Sequence, residues 1–137
     1  HRFPTPEQVL RVPVAKLRAV GLSKQKISYI RDLSQKVHDG SFPLARVSRM
    51  EDEAVITHLT QVKGIGRWTS EMFLIFCLGR PDVLSTGDLG IRKAVQRAYG
   101  YKSLPAMSTV EKHGLRWRLY RSVASWYLWA SVDNGVF

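Results

Sequence analysis

The chain has 137 residues, 45% of them hydrophobic, which suits one globular domain with a real core and is not a disordered composition. Twenty-one Lys and Arg against 11 Asp and Glu leave a formal charge of +10, which favours a polyanionic partner, nucleic acid before a membrane surface. A single cysteine excludes a disulfide framework, a cysteine-rich zinc site and a cysteine-ligated iron–sulfur cluster within the chain.

His1 stands where an initiator Met would, with no signal-peptide pattern after it, so the chain reads as cut from something longer. Thr5-Pro6-Glu7-Gln8 combines an N-cap, a proline at the first helical position and a capping-box glutamine. A short helix follows and stops before Pro13; another spans Val14 to Val20 and ends at Gly21. Ser23 caps a longer helix with an apolar stripe of Ile27, Ile30, Leu33, Ser34 and Val37. Its other face carries Lys24, Lys26, Arg31 and Lys36, either solvated or facing DNA. Ser48 to Glu51 forms a capping-box pattern for a helix through Leu59.

After the turn Val62 to Gly66, a helix from Arg67 to Leu78 is apolar on nearly every face and is expected at the centre of the domain. Cys77 lies in that helix as a packed thiol. No apolar run reaches the roughly 18 residues that span a bilayer. Gly79 to Gly87 is a connector, Asp88 to Tyr99 is helical, and Gly100 stops it. Ser108 to Glu111 caps a last helix that turns Trp117, Tyr120, Val123, Ala124, Tyr127 and Leu128 to the core. The expected class is all-α, one domain over 1–137 with a hairpin at about 51–80.

Chemistry concentrates in the hairpin, Leu59 to Gly66. Gly64 and Gly66, separated by Ile65, let the backbone turn tightly and approach another surface. The helix that follows offers N–H groups and a positive dipole end to a phosphate. Lys63 and Arg67 flank it, and Ile65 pins the turn between the helices. A plain αα-hairpin with a glycine turn is the alternative.

Leu59 to Leu78 resembles the helix-hairpin-helix of the DNA glycosylase superfamily. The likeness continues through Asp82-Val-Leu-Ser-Thr-Gly-Asp88-Leu-Gly-Ile-Arg92 and Trp117 to Trp129, in family order and spacing, nearest to the 3-methyladenine glycosylase II type. The resemblance implies an alkali cation, Na+ or K+, held by the main-chain carbonyls of Thr60, Val62 and Ile65, with no other cofactor and no iron–sulfur cluster. It implies double-stranded DNA containing damaged bases as the partner, and no membrane. Family members carry further helices before the segment like Phe3 to Glu7; their absence would leave apolar surface for self-association or a partner chain.

Breaking an N-glycosidic bond develops oxocarbenium-like charge on the sugar, which a fixed carboxylate stabilises. Asp88 follows Gly66 by 22 residues at a helix start, with Gly87 and Gly90 beside it. Helix capping alone would also explain it; the motif match makes it the catalytic aspartate. Asp82 reads as a loop residue. Strand-cleaving relatives carry a lysine nucleophile where this chain has Trp68, so the resemblance implies water as nucleophile and an intact strand. Trp68, Met72 and Trp129 match positions of the family's base pocket, whereas Trp117 and Trp126 read as core. Arg121 and Ser122 fit the family pattern without an assigned role. The expected activity is hydrolytic removal of alkylated purines in base-excision repair. The alternatives are a non-catalytic DNA-binding fragment and a glycosylase for another damaged base.

Overall fold

Thr5 opens α1 (Pro6–Arg11) with both halves of a capping box: its hydroxyl accepts from Gln8 N–H at 3.3 Å, and the Gln8 side chain accepts from Thr5 N–H at 2.9 Å. The computed structural model describes residues 3–136, so His1 lies outside the described residues. They fall into two compact units that divide between Ser70 and Glu71. All regular structure in the described residues is helical, and no helix among them is long and apolar enough to cross a membrane.

In the first unit α2 (Val14–Ala19) starts after Pro13 and ends before Gly21, whose φ is +88°. Ser23 caps α3 (Lys24–His38) by accepting from Lys26 N–H at 3.1 Å. Ile27 and Ser34 are buried and Leu33 and Val37 half-buried, whereas Ile30 turns outward. Arg31 does not belong to a basic face. Its guanidinium donates to the carbonyls of Leu10 and Val12, at 3.3 and 2.7 Å, and ties the end of α1 to α3. At the other end Glu7 pairs with His38 at 2.9 Å, which holds the Glu7 carboxyl down at about 2.

The expected capping box at Ser48 is not formed. A 3-10 helix, Leu44–Arg49, takes up Ser48, and α4 (Asp52–Thr60) starts from Glu51, whose side chain makes no capping bond. The hairpin leads into α5 (Arg67–Met72), which widens into a π-helical turn, Phe73–Cys77. There Leu78 N–H reaches back five residues to the Phe73 carbonyl at 3.1 Å. The extra residue in the turn rotates Phe76 and Cys77 to solvent while Leu74 and Ile75 stay buried. The segment is therefore not apolar core throughout, and Cys77 is an exposed thiol rather than a packed one.

In the second unit α6 (Leu89–Ala98) runs from Asp88 to Gly100, and its buried Ile91 and Val95 meet Val110 of α7 (Met107–Gly114). Leu84, Trp117, Leu128 and Trp129 pack against that cluster. The expected single last helix is two. A 3-10 turn, Leu115–Trp117, and Leu119 at φ +64° separate α7 from α8 (Arg121–Asp133). This break re-phases α8: Ser122, Ser125 and Ser131 are buried, while Tyr120, Val123, Trp126 and Tyr127 face solvent. Trp117 is half-buried core as expected, and Trp126 is not.

Arg31→Ala should cost about 1.5–3 kcal/mol for bonds from a charged donor. Hydrogen exchange should show the loss first in the α1 amides, and unchanged α1 protection would exclude the tie.

Candidate functional site

The hairpin is shaped by α3 as much as by its own glycines. Val62 N–H donates to the Leu59 carbonyl at 3.0 Å, and Ile65 N–H to that of Val62 at 3.1 Å. Lys63 N–H donates to Asp32 Oδ2 at 2.9 Å, and that bond is the main reason the Asp32 carboxyl lies below its ordinary value. Gly64 takes φ +77°, and a Cβ there would clash with three atoms of the Tyr29 ring. Gly66 differs: its φ is not positive, and an added Cβ would meet nothing. Ile65 is half-buried and Lys63 exposed. The Arg67 guanidinium makes two bonds to the Glu53 carboxylate, at 3.1 and 2.5 Å, which hold the Glu53 carboxyl down. Trp68 is exposed on the first unit.

Asp88 is a helix cap, as the local pattern allowed. Its Oδ1 accepts from Ile91 N–H at 2.9 Å and also from the Trp129 indole N–H at 2.9 Å. Gly90 is explained by the same pair. A Cβ there would lie 3.0 Å from Trp129 Cδ1 and 3.1 Å from Asp88 Oδ1, so the missing side chain makes room for the indole. A Cβ at Gly87 would make only ordinary contact, 3.6 Å from the Met107 sulfur.

The connector before Asp88 is clamped by buried polar groups. Asp88 N–H donates to the Ser85 carbonyl at 3.0 Å, and the Ser85 hydroxyl donates to the carboxylate of buried Glu71. Ser122 accepts from Val83 N–H at 3.0 Å and donates to the Arg80 carbonyl at 2.6 Å. The Arg121 guanidinium grips Asp82 through two bonds of 2.7 and 2.9 Å, and this pairing holds the Asp82 carboxyl low. Arg121 and Ser122 thus acquire a role, Arg121 through the Asp82 carboxylate and Ser122 through the backbone of Arg80 and Val83. Glu71 and Ser85 are the residues that sequence reasoning missed; nothing in a lone Glu on an apolar helix signals a partner 14 positions away.

Aromatic rings gather beside Asp88 in the second unit. Phe76 stacks on Trp129 with centroids 5.9 Å apart and meets Trp126 edge-on at 5.3 Å. Phe76 and Trp126 are each more than half exposed, at 51% and 56%, so both rings remain able to meet a ligand. Trp129 and Met72 are half-buried. No group of three or more His, Cys, Asp or Glu among the described residues could hold a metal ion.

The profile of the family described as HhH-GPD superfamily base excision DNA repair protein matches residues 1–118, and the chain belongs to that family. It is 38% identical over 129 residues to DNA-3-methyladenine glycosylase 1 of Schizosaccharomyces pombe, covering 93% of this chain and 57% of that protein. The structure of the 3-methyladenine DNA glycosylase of the same yeast, in complex with abasic DNA, superposes with a TM-score of 0.84 and 37% identity. It covers 96% of this chain and 65% of that one. A DNA-3-methyladenine glycosidase from Bacillus halodurans superposes with a TM-score of 0.85 and 41% identity, over 94% of this chain and 59% of that one. The chain spans about half the length of the curated relatives it matches. The all-helical fold and the resemblance to this glycosylase type are both borne out.

Gly64→Ala should destabilise the fold by more than the roughly 1–2 kcal/mol of left-handed strain alone, and Tyr29→Ala in the same chain should recover the excess in urea unfolding. Additive losses would remove Tyr29 from the account. The Asp82 clamp follows pH. A carboxyl held low in the fold contributes stability above its unfolded value and loses it as pH falls through the folded one. Acid unfolding of Asp82→Asn should accordingly be less pH-dependent below the ordinary aspartate range; an unchanged acid limb would contradict the pairing.

Proposed function

We propose that the protein containing this chain hydrolyses the N-glycosidic bond of alkylated purines in DNA, as a base-excision glycosylase that leaves the strand intact. The observation that carries this reading is Asp88, a half-buried carboxylate fixed by donors from two helices beside half-exposed aromatic rings. The relatives' names, and the abasic DNA bound by the yeast enzyme, support it.

In this mechanism the hairpin holds the DNA backbone and carries no sequence information. A damaged purine swings out of the stack, and electron-rich rings accept its electron-poor face. Met72 and Trp129, both in the second unit, serve as pocket residues by family position. As the glycosidic bond lengthens, positive charge grows on the deoxyribose, and the Asp88 carboxylate stabilises it. Asp88 also orients or deprotonates the attacking water. Water replaces the base at C1′, and the products are the free base and an abasic site. Trp68 in place of an amine nucleophile supports hydrolysis without strand cleavage.

An alkali cation at the hairpin fits its donors. The carbonyls of Thr60, Val62 and Ile65 are neutral hard oxygens, and that of Val62 already accepts one N–H, from Ile65, and keeps a lone pair. The ion would add positive charge where a phosphate docks. Lys63 adds its own charge, and Arg67 contributes only after sharing its guanidinium with Glu53.

The 137-residue chain incubated with single-lesion duplexes, then heated in alkali, should give cleavage at alkylated purines. Asp88→Asn should reduce it by a factor on the order of 10²–10³ while DNA binding persists. Binding without cleavage in the parent chain would support a binding module instead; nicking without alkali would overturn the hydrolytic reading. Gly66→Ala, which meets no protein atom, should leave thermal stability unchanged and weaken DNA binding irrespective of sequence. Undiminished affinity would detach Gly66 from the DNA interface.

A further inference from the structure

Trp129 presents two chemically distinct parts. Its ring face stacks against Phe76, with planes 24° apart, and its N–H edge donates to Asp88 Oδ1 at 2.9 Å. Stacking on a base would use a face; the N–H edge is spent on the carboxylate. Rotation of an aspartate carboxyl about its last bond is broad and roughly two-fold, so its plane is set by its hydrogen-bond donors. Ile91 N–H supplies one donor from α6 itself, and Trp129 supplies a second from α8, on the same oxygen.

Gly90 points the same way independently. Its φ is not in the left-handed region, so backbone conformation does not call for glycine there. The requirement is space: a Cβ would reach 3.0 Å from Trp129 Cδ1 and 3.1 Å from Asp88 Oδ1, wedged against both halves of one hydrogen bond. The connector adds a third brace, from Asp88 N–H to the Ser85 carbonyl and from the Ser85 hydroxyl to Glu71.

We propose that Trp129 is a positioning residue for Asp88, acting through its indole N–H and separately from any stacking by its ring, with Gly90 as the gap that admits the bond. The inference deepens the glycosylase reading and rests on it for its catalytic consequence. Trp129→Phe removes the N–H and keeps an aromatic face; Gly90→Ala keeps the tryptophan and crowds the bond.

Two measurements on the 137-residue chain test this. In the first, hydrogen exchange of the Trp129 indole proton, assigned by its loss in Trp129→Phe, should be slower than that of exposed Trp126. It should speed up in Asp88→Ala and Gly90→Ala while the α8 amides stay protected. Unchanged indole protection in both variants would overturn the proposal, whether or not the chain releases bases. In the second, single-turnover excision by Trp129→Phe and Gly90→Ala should fall by about tenfold, the effect of one hydrogen bond to a charged group. The factor should be the same for a cationic alkylated purine and a neutral damaged purine, and affinity for abasic DNA should hold. A loss confined to one lesion, or none, would assign Trp129 to stacking alone. Base release by neither parent nor variant would count against the glycosylase reading, and the exchange result would still decide the bond.

Discussion

The connector between the π-helical turn and α6 has no regular structure, yet it must deliver a carboxylate to a defined place. Loops of this kind are held only by what their polar groups find, and an unmet buried polar group costs about 1–3 kcal/mol. Here the side-chain holds come from outside the loop. Ser122 satisfies Val83 and Arg80, Arg121 grips Asp82, and Glu71 receives the Ser85 hydroxyl. With those in place Asp88 starts α6 and meets Trp129. Without them its position is undetermined, and the chemistry assigned to it has no geometry.

The same economy governs the hairpin. Its two glycines look alike in the sequence and act differently in the fold. Gly64 is needed by the protein, because Tyr29 occupies the space of its side chain and its φ is left-handed. Gly66 has no left-handed φ and a Cβ there would meet nothing, and its carbonyl accepts the Ser70 N–H as α5 begins. Asp32 completes the turn by taking the Lys63 amide. α3 is therefore a mould for the hairpin as well as a surface helix.

Local signals were legible and long-range polar ones were not. The capping box at Thr5, the Ser23 cap, the proline and glycine stops and the hairpin all follow from chemistry within four residues, and the structure reproduces them. The motif spacing led to the family, which the profile over residues 1–118 bears out. What failed was the assumption that aromatic residues mark the inner face of a helix. In α8 three serines are buried because each hydroxyl finds a carbonyl, of Arg80, Arg121 or Leu128, and the rings point outward instead. The π-helical turn misled in a related way, since one extra residue per turn re-aims Phe76 and Cys77 against any 3.6-residue pattern. Tyr29, Asp32 and Glu71 were invisible because their partners lie 14 to 35 positions away, where no periodicity reaches.

The serine-lined face of α8 carries a further consequence. A helix seated by small hydroxyl residues is anchored through atoms that tolerate little exchange, while its solvent side bears Val123, Tyr127 and Trp126, the last of which meets Phe76 edge-on. Seating and solvent exposure fall on opposite sides of one element. Substitutions at Val123 and Tyr127 on the outer side need no compensation among the buried serines.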